Sequence, residues 1–204
     1  DQASGLAAGT DAADKPVWDI WLDGGVMRAQ KGNSLTNVAV GTLGFKYLLT
    51  PDLAVGVMAR LDWSEMTKGN TKSDGIGWVA GPYVAAKLSE QLYFDASLLA
   101  GQSYNNISPF GTYTDQFQTD RLQGHAKLSG KFDVGQFTIR PQAGVVVSRE
   151  VQNAYTDGMG NDIAAQTFAK GTLTLGPAVA YLIKGEGVDY TPNVGLFGNW
   201  NFLS

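Results

Sequence analysis

The chain contains no cysteine and a single histidine in 204 residues. Disulfides and thiolate metal sites are therefore excluded, and most catalytic histidine arrangements have only His125 to draw on. Charge is scarce too, since Asp, Glu, Lys and Arg make up 17% of the residues against the quarter usual in soluble domains. The net charge of -4 gives no basic footprint for nucleic acid. No stretch approaches the ~20 uninterrupted apolar residues of a membrane helix, and the first residues lack the basic and then apolar regions of a signal peptide. An exported protein with this start is expected to be a mature or trimmed form. What the chain does have is 26 Gly, 5 Trp, 8 Tyr and 9 Phe, a mixture suited to many turns and an aromatic belt.

Residues 1–16 (DQASGLAAGTDAADKP) are small and acidic without apolar periodicity, and read as a linker. After Pro16 the chain becomes a series of roughly ten-residue apolar/polar alternations separated by turn residues. In LAVGVMARLDW (53–63), Leu53, Val55, Val57, Ala59, Leu61 and Trp63 fall on one face of a strand, opposite Ala54, Gly56, Met58, Arg60 and Asp62. In residues 121–132, Leu122, Gly124, Ala126, Leu128, Gly130 and Phe132 alternate with Arg121, Gln123, His125, Lys127, Ser129 and Lys131. A helix would mix those sets on every face. The same pattern predicts strands near 17–26, 37–49, 76–88, 92–103, 137–150, 172–184 and 189–202, nine in all. Charge is sorted by side: Asp19, Asp23, Lys46, Arg60, Asp62, Lys87, Asp95, Arg121, Lys127, Lys131, Arg140, Glu150 and Lys184 lie on the polar faces.

Alternation alone does not say whether the apolar face points in or out. Three features favour outward. LTPDL (49–53), LSEQL (88–92) and FDVGQF (132–137) are tight connections, whereas 27–36, 64–75, 104–119 and 151–170 read as long polar loops, the outer-membrane habit of short turns on one rim and long loops on the other. Aromatics crowd the ends of the apolar faces as interfacial girdles: Trp18, Tyr47, Trp63, Trp78, Phe94, Phe132, Phe137, Tyr181, Trp200 and Phe202. Long charged side chains sit at mid-strand on the polar faces, where a water-filled or plugged lumen accommodates them. These readings predict an all-β, antiparallel, up-and-down transmembrane barrel. A soluble lipocalin-like barrel or sandwich is the alternative, with the apolar face as its core. Pro82, Pro141, Pro177 and Pro192 fit poorly, because each falls inside a predicted strand and removes a ladder donor.

GWVAGPYVAAKLSEQLYFDASLLAGQSYNN (77–106), FQTDRLQGHAKLSGKF (117–132), FTIRPQAGVVVSRE (137–150), AYTDGMGNDI (154–163), WDIWLDG (18–24) and NVGLFGNWNF (193–202) together resemble autotransporter β-domains of alphaproteobacteria. The resemblance spans nearly everything after Pro16. It implies a barrel of about 12 strands in the outer membrane of a Gram-negative bacterium, a monomer that anchors an N-terminal passenger and exports it through the lumen. It also implies dependence on the outer-membrane assembly machinery, and contact with lipid and lipopolysaccharide. Bacterial single-chain barrels close with an even number of strands, so nine strands in 17–204 are expected to lack C-terminal partners, and the ending Phe202-Leu203-Ser204 departs from the terminal aromatic residue of the family.

Candidate sites are few. His125 lies between Gln123 and Lys127 on a lumen face, and Ser129 on the same strand face is ~13 Å away, too far for a Ser-His pair. With no partner legible for His125, no enzymatic activity is expected. YTDGMGND places Asp157, Gly158, Gly160 and Asp162 in a loose likeness of a calcium loop, but the spacing and the missing closing Glu favour a plain turn. Gly-rich stretches such as GVDYTPNVGLFG carry no phosphate-binding signature, so no metal or cofactor is expected. Basic residues on the lumen faces (Lys46, Arg60, Lys87, Arg121, Lys127, Lys131, Arg140, Lys184) outnumber the acidic Asp19, Asp23, Asp62, Asp95 and Glu150. Segment 1–16 carries Asp1, Asp11 and Asp14 against Lys15, which suggests that it plugs a basic lumen. No Asn precedes Asn33, so cleavage next to an Asn inside the barrel is not expected within this segment. A stand-alone porin or channel, and less strongly an outer-membrane enzyme, remain as alternative functions.

Overall fold

The computed structural model describes residues 17–184 and 190–203, so the expected linker over 1–16 lies outside the described residues. Regular structure there is entirely β: β1 (Trp18–Lys31), β2 (Ser34–Thr50), β3 (Leu53–Lys68), β4 (Thr71–Lys87), β5 (Leu92–Ser108), β6 (Asp115–Gly130), β7 (Phe132–Val134), β8 (Phe137–Gln152), β9 (Tyr155–Thr156), β10 (Asp162–Ile163), β11 (Gln166–Tyr181), β12 (Asn193–Gly195) and β13 (Gly198–Leu203). The sheet runs in chain order, β1-β2-β3-β4-β5-β6-β8-β11-β12, with β7 paired to β8 and β13 to β11, while β9 and β10 form a separate hairpin. Every pairing is antiparallel. This is the up-and-down connectivity that the alternation predicts.

Two of the expected long loops are strand instead. Residues 27–36 and 64–75 continue their ladders to Lys31↔Ser34 and Lys68↔Thr71, closing in two-residue turns at Gly32-Asn33 and Gly69-Asn70. Each turn starts with a glycine at positive φ, 58° and 60°, which L side chains avoid. Polar residues predominate on both faces of these extensions, and Met27, Ala29, Leu35 and Met66 are too few to make an apolar period that betrays a strand. The segment 104–119 likewise keeps strand up to Ser108 and from Asp115, and 151–170 holds the β9–β10 hairpin. The expected strand 172–184 ends at Tyr181, leaving Lys184 beyond it, and 189–202 is split between β12 and β13, with Pro192 ahead of both.

The in-strand prolines have a common physical explanation. The β4–β5 ladder pairs Ala80↔Ala100 and resumes at Tyr83↔Ser97, omitting Gly81-Pro82 while keeping register. Between β6–β7 and β8 the pairing stops at Ser129↔Gln142 and resumes at Phe132↔Ile139, opposite Pro141. Between β11 and β12–β13 it passes from Ala178↔Gly195 to Leu175↔Gly198, omitting Gly176-Pro177. Each proline thus opens one ladder and leaves the other intact, as in Val57↔Pro82 and Pro141↔Pro177. Opposed residues of an antiparallel pair exchange hydrogen bonds only at alternate positions, so a missing N–H is costly toward one neighbour alone.

One face of the sheet is concave. Trp21 on β1 donates from Nε1 to the Tyr83 hydroxyl on β4 at 3.0 Å, and Arg121 on β6 reaches Asp62 on β3 at 2.7 Å. A flat sheet would hold strands three apart at ~14 Å. Side chains that meet across that interval lie on a surface curling toward itself. Ala54, Met58, Val79, Tyr83, Ala85 and Leu99 are buried on this face, whereas Leu22, Val26, Leu61, Ile76 and Leu98 stand exposed on the other, Val26 at 88%. A soluble β-domain buries its large apolar residues, so the lipocalin-like alternative does not describe this sheet. From Leu53 to Trp63 the apolar row of β3, exposed from Val57 onward, takes ten steps of ~3.4 Å, or ~24 Å along a membrane normal at ~45° tilt, close to the ~25 Å apolar band of outer-membrane barrels.

Candidate functional site

The concave face gathers the charges that alternation sorts away from the apolar rows. On β5 and β6 the register sets Asp95 opposite Lys127 and Ser97 opposite His125. Asp95 is buried, with Oδ2 3.4 Å from His125 Nδ1 and Oδ1 3.6 Å from Lys127 Nζ. Its Oδ1 has no hydrogen-bond partner. His125 therefore has a carboxylate neighbour that its own strand could not reveal, which corrects the expectation of an unpartnered histidine. The nearest serine by register is Ser97 and not Ser129, and no hydrogen bond among the described residues joins Ser97 to His125. The arrangement is an electrostatic node of one carboxylate holding two bases, without the nucleophile-to-base contact of a hydrolase.

A second node spans more of the face. Arg121 donates from Nη1 to Asp62 at 2.7 Å and from Nε to Glu150 at 3.3 Å, joining β3, β6 and β8. It crosses β4 over Gly77, where a Cβ would collide with the guanidinium. Lys46 pairs with Asp19 at 3.4 Å, and Arg60 donates from Nε to the Thr42 hydroxyl at 3.4 Å. The remaining sequence-derived candidates lie toward the strand ends. Lys87 closes β4 and pairs with Glu90 in the following turn at 3.2 Å, and Lys131 sits in the β6–β7 break, 3.9 Å from Asp133. Arg140, opposite Ala178, and Lys184, past the end of β11, are exposed.

The aromatic candidates occupy the convex face in two rows. Trp18, Tyr47, Phe94, Phe132, Phe137 and Tyr181 lie near the rim where β1 starts, with Phe137 packed on Tyr181 at 4.8 Å. Trp63, Trp78, Trp200 and Phe202 lie toward the opposite rim. Phe45 stacks on Trp18 at 6.5 Å and completes the first row. Its odd position in the alternation of 37–49 was a sufficient signal for it.

Beyond the second row the hairpins hold polar structure. Asp115 is buried and accepts the Gly158 N–H at 2.7 Å, and Phe117 stacks on Tyr155 at 5.5 Å, so the β9–β10 hairpin is docked on β6. Asp157 accepts from the Met159 and Asn161 amides at 2.9 and 2.8 Å and from Asn161 Nδ2. These donors, the Asn161 side chain foremost, lower its carboxyl from the ordinary 3.8. Asp162 accepts from the Thr156 hydroxyl at 3.0 Å. Both carboxylates serve the turn as hydrogen-bond acceptors, and among the described residues no three acidic or imidazole side chains converge as a metal site.

Comparison with known proteins places this geometry. A family model described as autotransporter beta-domain matches residues 21–204. The structure is similar to the β-domain of the Bordetella autotransporter BrkA, at 18% identity and TM-score 0.73, over 91% of this chain and 80% of that one. It is similar to the translocator domain of NalP from Neisseria meningitidis at 11% identity and TM-score 0.65, over 91% and 67%. It is also similar to the transport unit of AIDA-I from Escherichia coli at 13% identity and TM-score 0.64, over 98% and 79%. A search of curated protein sequences found no match.

Proposed function

The chain belongs to the autotransporter β-domain family, the outer-membrane translocators of Gram-negative bacteria, and from that premise we propose how its two faces divide the work. It is a translocator that exports a passenger, which sets aside the stand-alone porin. The observation that supports the division is the sorting itself: large apolar side chains exposed on the convex face, charged side chains paired on the concave one. Lipid solvates the convex face, and the ladders satisfy the backbone that lipid does not. Trp18, Tyr47, Phe94, Phe132, Phe137 and Tyr181 form the girdle at one interface, with Trp63, Trp78, Trp200 and Phe202 at the other.

The concave face lines the passage. Asp95, Lys127, Arg121, Asp62, Glu150, Lys46 and Arg60 keep it hydrated, while Lys87, Lys131, Arg140 and Lys184 ring its ends. Segment 1–16 leads from the passenger to β1, and its acidic residues complement the basic excess of the lumen. Lipopolysaccharide, the outer-membrane assembly machinery and the passenger are the partners of a monomeric barrel, and no reaction is catalysed. The alphaproteobacterial affinity rests on the sequence motifs alone.

An epitope placed ahead of Asp1, behind a signal peptide in the full-length protein, tests export in a Gram-negative host. The epitope becomes accessible to antibody and protease on intact cells. An epitope that is reached only after the outer membrane is opened overturns the reading.

A further inference from the structure

Several charges on the concave face are neutralised where they stand: Lys46 by Asp19, Arg121 by Asp62 and Glu150, and Lys127 by Asp95. Two are not. Among the described residues neither Asp23 nor Arg60 has an oppositely charged side chain within 4.0 Å, and Arg60 spends its hydrogen bond on the neutral Thr42 hydroxyl. The register puts both on one row, Asp23↔Thr42 and Thr42↔Arg60, and both line the same cavity, with Ser97 across it. Among the described residues the cavity thus has an unpaired negative charge on its β1 wall and an unpaired positive charge on its β3 wall.

We propose that Asp23 and Arg60 form a two-pronged recognition site for extended polypeptide, Arg60 taking a carboxylate and Asp23 an ammonium or guanidinium group. Two strand spacings separate them by ~9.6 Å at the backbone, about the distance between residues three apart in an extended chain. A segment with an acidic and a basic side chain at that spacing satisfies both prongs. A segment of uniform charge meets repulsion from one. The paired charges contribute less, because opposite charges a few ångströms apart cancel at the distance of a passing group. The inference rests on the concave face being the passage.

These 204 residues hold no cysteine, so no native thiol of the β-domain competes with an introduced one. In the full-length protein, Ser97→Cys supplies one thiol in the cavity, and the rates of its reaction with anionic and cationic methanethiosulfonates of equal size report the local potential. At low salt, Arg60→Gln lowers the anionic-to-cationic rate ratio and Asp23→Asn raises it, each by ~5-fold, the effect of one unit charge at ~8 Å in water on probes of opposite sign. The paired double variant Asp19→Asn/Lys46→Gln moves the ratio less than about twofold, because it removes no net charge. Ratios that stay fixed in both single variants overturn the two-pronged site and leave the export reading intact. A thiol that neither reagent reaches overturns the site together with the view of this face as a passage.

Discussion

Asp95 is held between His125 and Lys127 with little access to water, its side chain 12% exposed. Removing the carboxylate leaves two bases facing each other on a concave surface, so Asp95→Ala is expected to cost about 1–3 kcal/mol of stability, more than the loss of an exposed pair. Guanidinium unfolding of the refolded protein in detergent reads that loss, and an unchanged midpoint would mean that water already screens the node. In the outer hairpin, Asp157 has a lowered carboxyl because the folded turn donates hydrogen bonds to it. A depressed pKa stabilises the turn above the ordinary value of 3.8 and loses that contribution as pH falls through the lowered one. The Met159 and Asn161 amides should therefore be protected from hydrogen exchange at neutral pH and lose protection in strong acid, while Asp157→Ala exchanges freely at both. The face of each charged residue was legible from its parity in the sequence. The partner of His125 was not, because a cross-strand neighbour depends on the β5–β6 register, which the intervening loop of 109–114 sets and the strand pattern leaves open.

At the scale of the strands, the alternation located every long ladder, and the misjudged parts were those without an apolar period. The hairpin tips at 27–36 and 64–75 are mostly polar on both faces because both faces lie beyond the apolar band, so composition made them look like loops. Proline placement was a contradiction in the sequence and becomes a rule once both neighbours of each strand are known. At Gly81 the ladder gap lets the Leu98 carbonyl oxygen approach so closely that a Cβ would strike it. Gly81→Ala is expected to destabilise the β4–β5 pair by about 1–3 kcal/mol, since backbone rather than a flexible side chain must yield. Depth supplies a second test. Val57→Arg, near the middle of the convex row, should cost about 2–4 kcal/mol in lipid, and Trp63→Arg, at the girdle, less than about 1 kcal/mol from charge burial. Equal costs at the two positions would place β3 outside a bilayer.

Across the whole sheet, curvature and lipid exposure come from the same inversion of a soluble fold. Large apolar residues face outward, and the small buried cluster of Met58, Val79, Tyr83 and Leu99 with Trp21 lies on the concave side. That cluster draws β1 toward β4, as Arg121 draws β6 toward β3. Alternation alone gave the two faces; loop lengths, aromatic placement and mid-strand charge pointed the apolar one outward, and the contacts between strands three apart agree, since they curl the charged face inward. The role in export is legible only through family membership, since neither charge sorting nor strand count specifies what passes. The inversion itself is open to a direct measurement. Spin labels placed one at a time at residues 53–63 of the cysteine-free chain, in bilayers, should alternate in collision with lipid-soluble oxygen and with a water-soluble nickel chelate. Oxygen contact should peak at Val55, Val57, Ala59 and Leu61, and chelate contact at Gly56, Met58 and Arg60. Uniform access to the chelate along the whole segment would contradict the account.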